Sequence, residues 1–141
     1  MIARLRGTVL DRGMDHLIVD VGGVGYLVYV TAGTIAAAKM DGEITLHTHM
    51  VVREESMTLF GFPDGHQQRL FQTLLGVSGV GPKVGLGLLS IMSTDDLAFA
   101  IASGNAAALA RAPGVGQKLA SRIVLELRGK MAAGAAPTVP G

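Results

Sequence analysis

The 141-residue sequence predicts a multi-domain α+β protein, an N-terminal five-stranded β-barrel followed by an all-α domain. Three observations carry that prediction. Apolar residues recur with period two through the first sixty residues, the period turns helical after Pro63, and one glycine-rich hairpin occurs twice in the helical part, 35 residues apart.

Ala3, Leu5, Gly7 and Val9 alternate with Arg4, Arg6 and Thr8, which predicts the first strand. Leu17, Val19 and Val21 alternate with His16, Ile18 and Asp20 in the second, and Tyr26 to Val30 forms the third. Between them, Val21-Gly22-Gly23-Val24-Gly25-Tyr26 runs from strand to strand. A dinucleotide-binding fingerprint must open a helix, so this segment reads as a hairpin turn. An alanine-rich stretch predicts a short helix over Thr34 to Met40. After a turn at Asp41-Gly42, Ile44, Leu46, Thr48, Met50 and Val52 alternate with Thr45, His47, His49 and Val51, and Met57 to Phe60 completes a fifth strand. Five short strands with one helix between the third and fourth is the element order of a small Greek-key barrel of the OB type, assigned to residues 1–62.

From Pro63 the spacing is helical. Phe71, Leu74 and Leu75 follow a cap at Asp64, and Leu97 and Ile101 follow Ser93, with Asp96 three residues beyond the serine. In the last helix Leu119, Ile123 and Leu127 form an apolar stripe beside a charged one of Lys118, Arg122, Glu126 and Lys130. Five short helices are expected over residues 63–131. Residues 132–141 contain only Ala, Gly, Pro, Thr and Val and read as the start of a flexible linker.

Composition narrows the setting. Without cysteine there is neither a disulfide framework nor a thiolate metal site. Charges within Met1-Ile2-Ala3-Arg4-Leu5-Arg6 disfavour a signal peptide, and no apolar run reaches membrane-spanning length, so a cytoplasmic protein without a membrane partner is expected. Net charge is only +1, yet it is unevenly placed: residues 1–62 hold five Lys/Arg and seven Asp/Glu, residues 63–141 seven and four.

The basic half carries the repeat, Ser78-Gly79-Val80-Gly81-Pro82-Lys83-Val84 and Pro113-Gly114-Val115-Gly116-Gln117-Lys118-Leu119. Glycine lets a phosphate approach the main chain without meeting a Cβ, and the N–H groups of the following helix then point at it, helped by the helix dipole. Lys83 and Lys118 fall at the same place in each copy and add a charge contact. Gly79, Val80, Gly81, Lys83, Gly114, Val115, Gly116, Lys118 and Arg122 are therefore the candidate DNA-binding residues. Such a cradle reads phosphate geometry and ignores base identity. A Walker loop needs Gly-Lys-Ser/Thr, which does not occur, so ATP hydrolysis is not expected and no cofactor is implied.

Other residues point less far. His47 and His49 share a strand face but lack a third ligand at suitable spacing, so no metal site is assigned. The eleven acids form no recognisable two-metal nuclease cluster. Tyr26, Tyr29, Phe60 and Phe62 are too few for a base-stacking platform on the barrel. Glu54 and Glu55, in the turn between the fourth and fifth strands, read from sequence alone as a solvated hairpin tip.

With Met1-Ile2-Ala3-Arg4-Leu5-Arg6-Gly7, Val21-Gly22-Gly23-Val24-Gly25-Tyr26, Val51-Val52-Arg53-Glu54-Glu55 and Leu59-Phe60-Gly61-Phe62, the paired hairpins make residues 1 to about 131 resemble the RuvA family, the Holliday-junction-recognising subunits of the bacterial RuvAB branch-migration complex. The resemblance implies an OB barrel, a tandem helix-hairpin-helix domain, and assembly into a flat homotetramer, or into two tetramers facing each other as an octamer. It also implies that Glu54 and Glu55 form an acidic pin at the centre of the tetramer, while the hairpins hold the DNA arms by their minor-groove phosphates. The function implied is non-catalytic, structure-specific binding of Holliday junction DNA in recombination and repair, with the RuvB motor and RuvC resolvase as partners. Two departures stand out. Gln117 replaces a residue that is often basic in the family, and the family's C-terminal RuvB-binding domain is not recognised, which implies junction binding without coupling to RuvB. Two other classes remain open on the residues: the DNA-binding accessory domain of a structure-specific nuclease, and a purely structural interaction protein.

Overall fold

The computed structural model describes residues 1–132. The chain packs as two compact units, Met1–Gln68 and Arg69–Gly141. In the first, β1 (Arg4–Arg12), β2 (His16–Val21), β3 (Val24–Val30), α1 (Ala32–Ala37), β4 (Glu43–Arg53) and β5 (Ser56–Phe62) follow in order. The strands close into a barrel, β1-β2-β3-β5-β4, in which β3 and β5 run parallel and the remaining neighbours antiparallel. This is the OB-type barrel that the element order predicts.

Alternation decides which side chains fill it. Leu5, Val9, Leu17, Val19, Val28, Val30, Leu46 and Leu59 are buried in one cluster, each contributing roughly 1.5–3 kcal/mol by leaving water. Thr48 is a polar residue among them, and its hydroxyl donates to the Ile2 carbonyl at 2.7 Å, so its burial leaves no unmade hydrogen bond. The turn between β2 and β3 has Gly22 at φ +59° and Gly23 at φ +93°, the left-handed pair that a two-residue hairpin favours.

Three details differ from the sequence-based expectation. The helix expected over Thr34 to Met40 begins and ends earlier, at Ala32–Ala37, because the Thr31 hydroxyl accepts the Thr34 N–H at 3.2 Å and sets the N-terminus there. β1 continues to Arg12 beyond an irregularity between Val9 and Asp11, where simple alternation breaks. β5 runs on to Phe62.

Among the described residues five helices follow: α2 (Gly65–Leu75), α3 (Pro82–Ile91), α4 (Thr94–Ala102), α5 (Ala106–Leu109) and α6 (Gln117–Ala132). The boundary between the two units falls inside α2, whose Gln68 side-chain amide donates to the Thr48 carbonyl and ties the first turn to the barrel. Asp64 caps α2 through the Gln67 N–H at 2.8 Å, and Ser93 caps α4 through the Asp96 N–H at 3.0 Å, as their positions predict. α6 packs on α4 and α5, burying Ala120, Ile123, Val124 and Leu127. Among the described residues no single helix is long and apolar enough to cross a membrane. The expected linker lies, apart from Ala132 at the end of α6, outside the described residues.

Candidate nucleic-acid interface

The sequence repeat is also a repeat of backbone hydrogen bonds. In the first copy the N–H groups of Gly76, Val77, Val80 and Gly85 donate to the carbonyls of Thr73, Leu74, Val77 and Gly81. In the second, those of Arg111, Ala112, Val115 and Ala120 donate to Ala108, Leu109, Ala112 and Gly116, every donor and acceptor displaced by 35 residues. Four matched bonds fix the same course for both turns, although α5 is four residues long and α2 eleven.

Each glycine has its own task. Gly79 at φ +94° and Gly114 at φ +82° occupy the left-handed region, where a side chain is strained. Both are also crossed by the other copy: a Cβ on Gly79 would lie 3.3 Å from Leu119 Cδ1, and one on Gly114 3.5 Å from Val84 Cγ2. Val84 and Leu119 are themselves 35 residues apart, so the two hairpins pack reciprocally. Gly81 and Gly116 face open space, where a Cβ would meet nothing within 4 Å. No packing within the chain requires glycine there, and what its absence of side chain preserves is access from outside.

At that open side the helices begin. Gly81 is the extended N-cap of α3 with no side-chain cap bond, and Pro82 occupies the first turn, where a missing N–H costs nothing. The first N–H groups of α3 and α6 have no intrahelical acceptor and present a positive dipole end. Lys83 and Lys118 are exposed beside them, and neither is in an ion pair among the described residues. Val80 and Val115 play a different part, since their side chains are buried and their N–H groups are committed to Val77 and Ala112. They anchor the turns from within. Arg122 is exposed on α6, and its Nη1 donates to the Ser78 carbonyl of the first hairpin at 3.4 Å. The register of 35 pairs Val84 with Leu119 in sequence, but nothing in sequence alone signals the reach of Arg122.

The barrel presents the opposite charge. Arg53 and Ser56 pair across β4 and β5, leaving Glu54 and Glu55 as a two-residue turn, both exposed. The next cross-strand pair, Val52 and Met57, is apolar and also exposed, at 59% and 71%. Arg4 and Arg6 are exposed on β1, opposite His47 and Thr45 of β4. His49 lies opposite Phe60, and burial lowers its pKa below the ordinary 6.5. Among the described residues no group of three His, Cys, Asp or Glu is arranged to hold a metal ion. Tyr29 and Phe60 stack at a centroid distance of 5.8 Å, but Phe60 and Phe62 are buried and leave no broad aromatic platform.

Comparison with known proteins matches both units. Residues 1–61 fit the family model of the RuvA N terminal domain, and residues 71–130 that of the SAM-like helix-hairpin-helix tandem. The Holliday junction branch migration complex subunit RuvA of Chloroflexus aggregans is 52% identical over 132 residues, covering 93% of this chain and 68% of the relative. The protein of the same name from Roseiflexus castenholzii is 46% identical over 142 aligned positions, covering 100% of this chain and 72% of its own. That of Mycobacterium tuberculosis is 49% identical over 131 residues, 93% of this chain and 67% of the relative.

Proposed function

Because the chain belongs to the RuvA family, we propose that it binds four-way (Holliday) junction DNA, holding it open and square as a non-catalytic subunit of a branch-migration complex in the bacterial cytoplasm. The observation that carries this reading is the pair of hairpins with matched backbone bonds, each opening a helix N-terminus and a lysine to the outside. Two such cradles bind two phosphates at a set spacing. Their donors are main-chain N–H groups and lysines, so they grip any sequence.

Selectivity for a junction comes from the barrel. In a homotetramer, Glu54 and Glu55 of four chains gather eight carboxylates at one centre. Two unit charges 4 Å apart repel by about 1 kcal/mol in water and about 4 kcal/mol at the effective dielectric of a protein surface. Acids at the centre therefore oppose stacked crossover phosphates and favour an open junction, while the hairpins hold the arms. Leu10, Val24, Leu27, Val52 and Met57 leave apolar surface of the barrel unit exposed and available for self-association. ATP-driven motion belongs in this reading to a partner motor of the complex.

The test compares gel retardation of a labelled four-way junction with that of linear duplex, alongside the native mass. Preferential retardation of the junction by a tetramer is expected. Equal retardation of both DNAs removes the junction reading, and reproducible cleavage in Mg²⁺ or Mn²⁺ replaces it with a nuclease accessory role.

A further inference from the structure

The two hairpins match in backbone, and one cation crosses between them. Arg122 belongs by sequence to the second copy, yet its guanidinium reaches the Ser78 carbonyl that opens the first. Shifting that contact by 35 residues gives Gly87 and Pro113, and the fold places these two together as well, since a Cβ on Gly87 would lie 3.8 Å from the Pro113 carbonyl oxygen. The reciprocal position exists and is empty of any side chain. Gln117, the helical partner of Pro82 in the repeat, adds no charge to the second hairpin.

We infer that Arg122, carried across from the second repeat, belongs to the phosphate site of the first hairpin. This rests on the phosphate-binding reading above and goes further by assigning Arg122 to the opposite hairpin. A guanidinium has five N–H donors, and the bond to the neutral Ser78 carbonyl orients the group while leaving the others for a phosphate. The first hairpin then holds the backbone with two cations and a helix N-terminus.

The experiment uses the full chain and a short linear duplex, reading the salt dependence of affinity together with the amide shifts of Gly81 and Gly116 on titration. Arg122→Ala is expected to shrink the response of Gly81, leave that of Gly116 in place, and flatten the slope of log K against log salt by about 0.9, the contribution of one phosphate contact. Gly87→Arg fills the empty position and is expected to steepen the slope by a similar amount, with its gain at Gly116. Loss at Gly116 instead of Gly81 in Arg122→Ala, or an unchanged slope, overturns the assignment. Should Gly87→Arg fail to fold, the Arg122→Ala result decides alone. If neither glycine responds in the unaltered protein, it is the underlying phosphate reading that fails.

Discussion

The molecule displays two kinds of exposed turn, and they are built on opposite principles. Between β4 and β5 the chain reverses in two residues and shows carboxylates; at the helix hairpins it reverses through glycine and shows main-chain N–H groups. On the proposed function the acidic turn acts through side chains whose position need not be exact, because repulsion falls off slowly with distance. On the same proposal the hairpins act through hydrogen-bond donors and so depend on backbone geometry, down to one positive φ value and four matched bonds in each copy. Attraction here demands shape, whereas repulsion demands only charge, and substitutions should separate the two.

The largest effect is expected from Gly79→Val with Gly114→Val. Each places a β-branched residue at positive φ, costing on the order of 1–3 kcal/mol, and each drives a side chain toward Leu119 or Val84. DNA affinity should fall at least tenfold, and denaturant unfolding should show lower stability. Gly81→Ala with Gly116→Ala sharpens the point, because those positions meet open space. Stability should be nearly unchanged while binding weakens; equal binding would mean that no phosphate comes close there. Next in size is Lys83→Ala with Lys118→Ala, which should weaken junction and duplex alike and reduce the salt slope by roughly 1.8 per chain if each lysine meets one phosphate. Unchanged slopes would leave the lysines as solvated surface.

Smaller again is Glu54→Gln with Glu55→Gln. Both side chains are exposed, so folding should be untouched. Junction binding should persist while affinity for linear duplex rises severalfold, and the gain should fade with added salt, which screens exposed charges within about 10 Å at 0.1 M. A constant junction-to-duplex ratio would show that the acidic turn does not select, leaving the hairpins as the sole determinant.

Legibility in the sequence followed the same division. Backbone-dictated features were readable: glycines in a fixed register announced the hairpins, Ser93 and Asp64 announced helix starts, and period-two alternation announced the barrel and its inward residues Leu5, Val9, Leu17 and Leu46. What escaped depends on partners distant in sequence or on a single local bond. Thr31 moved α1 by accepting one N–H, and the bounds of four-residue α5, too short to show a period although five helices were expected, are set by the Asn105 side chain accepting the Ala108 N–H. Val80 and Val115 lie in the hairpins as donors would, yet their N–H groups are consumed within the turn. The acidic turn was readable as charge, but its task was not, since two exposed carboxylates on one chain carry no trace of the assembly that would bring them together.

The least effect expected comes from pH, and it bears on whether the two units can be perturbed apart. His49 lies on β4 of the barrel unit, Met1–Gln68. Burial lowers the pKa of His49, which means that the folded state resists the proton the unfolded state accepts. Above 6.5 both states are neutral at this position and its contribution is level; as pH falls below 6.5 the unfolded chain gains a proton first, and stability declines until the folded pKa is passed. Amide exchange followed across that range should therefore show β4 and its neighbours opening more readily in acid, with the protection of α4 and α6 unchanged. His49→Gln should reduce the acid dependence of β4 and its neighbours. If instead the helices lose protection in step with the strands, the two units unfold as one, and a change made in the acidic turn could no longer be read separately from one made in the hairpins.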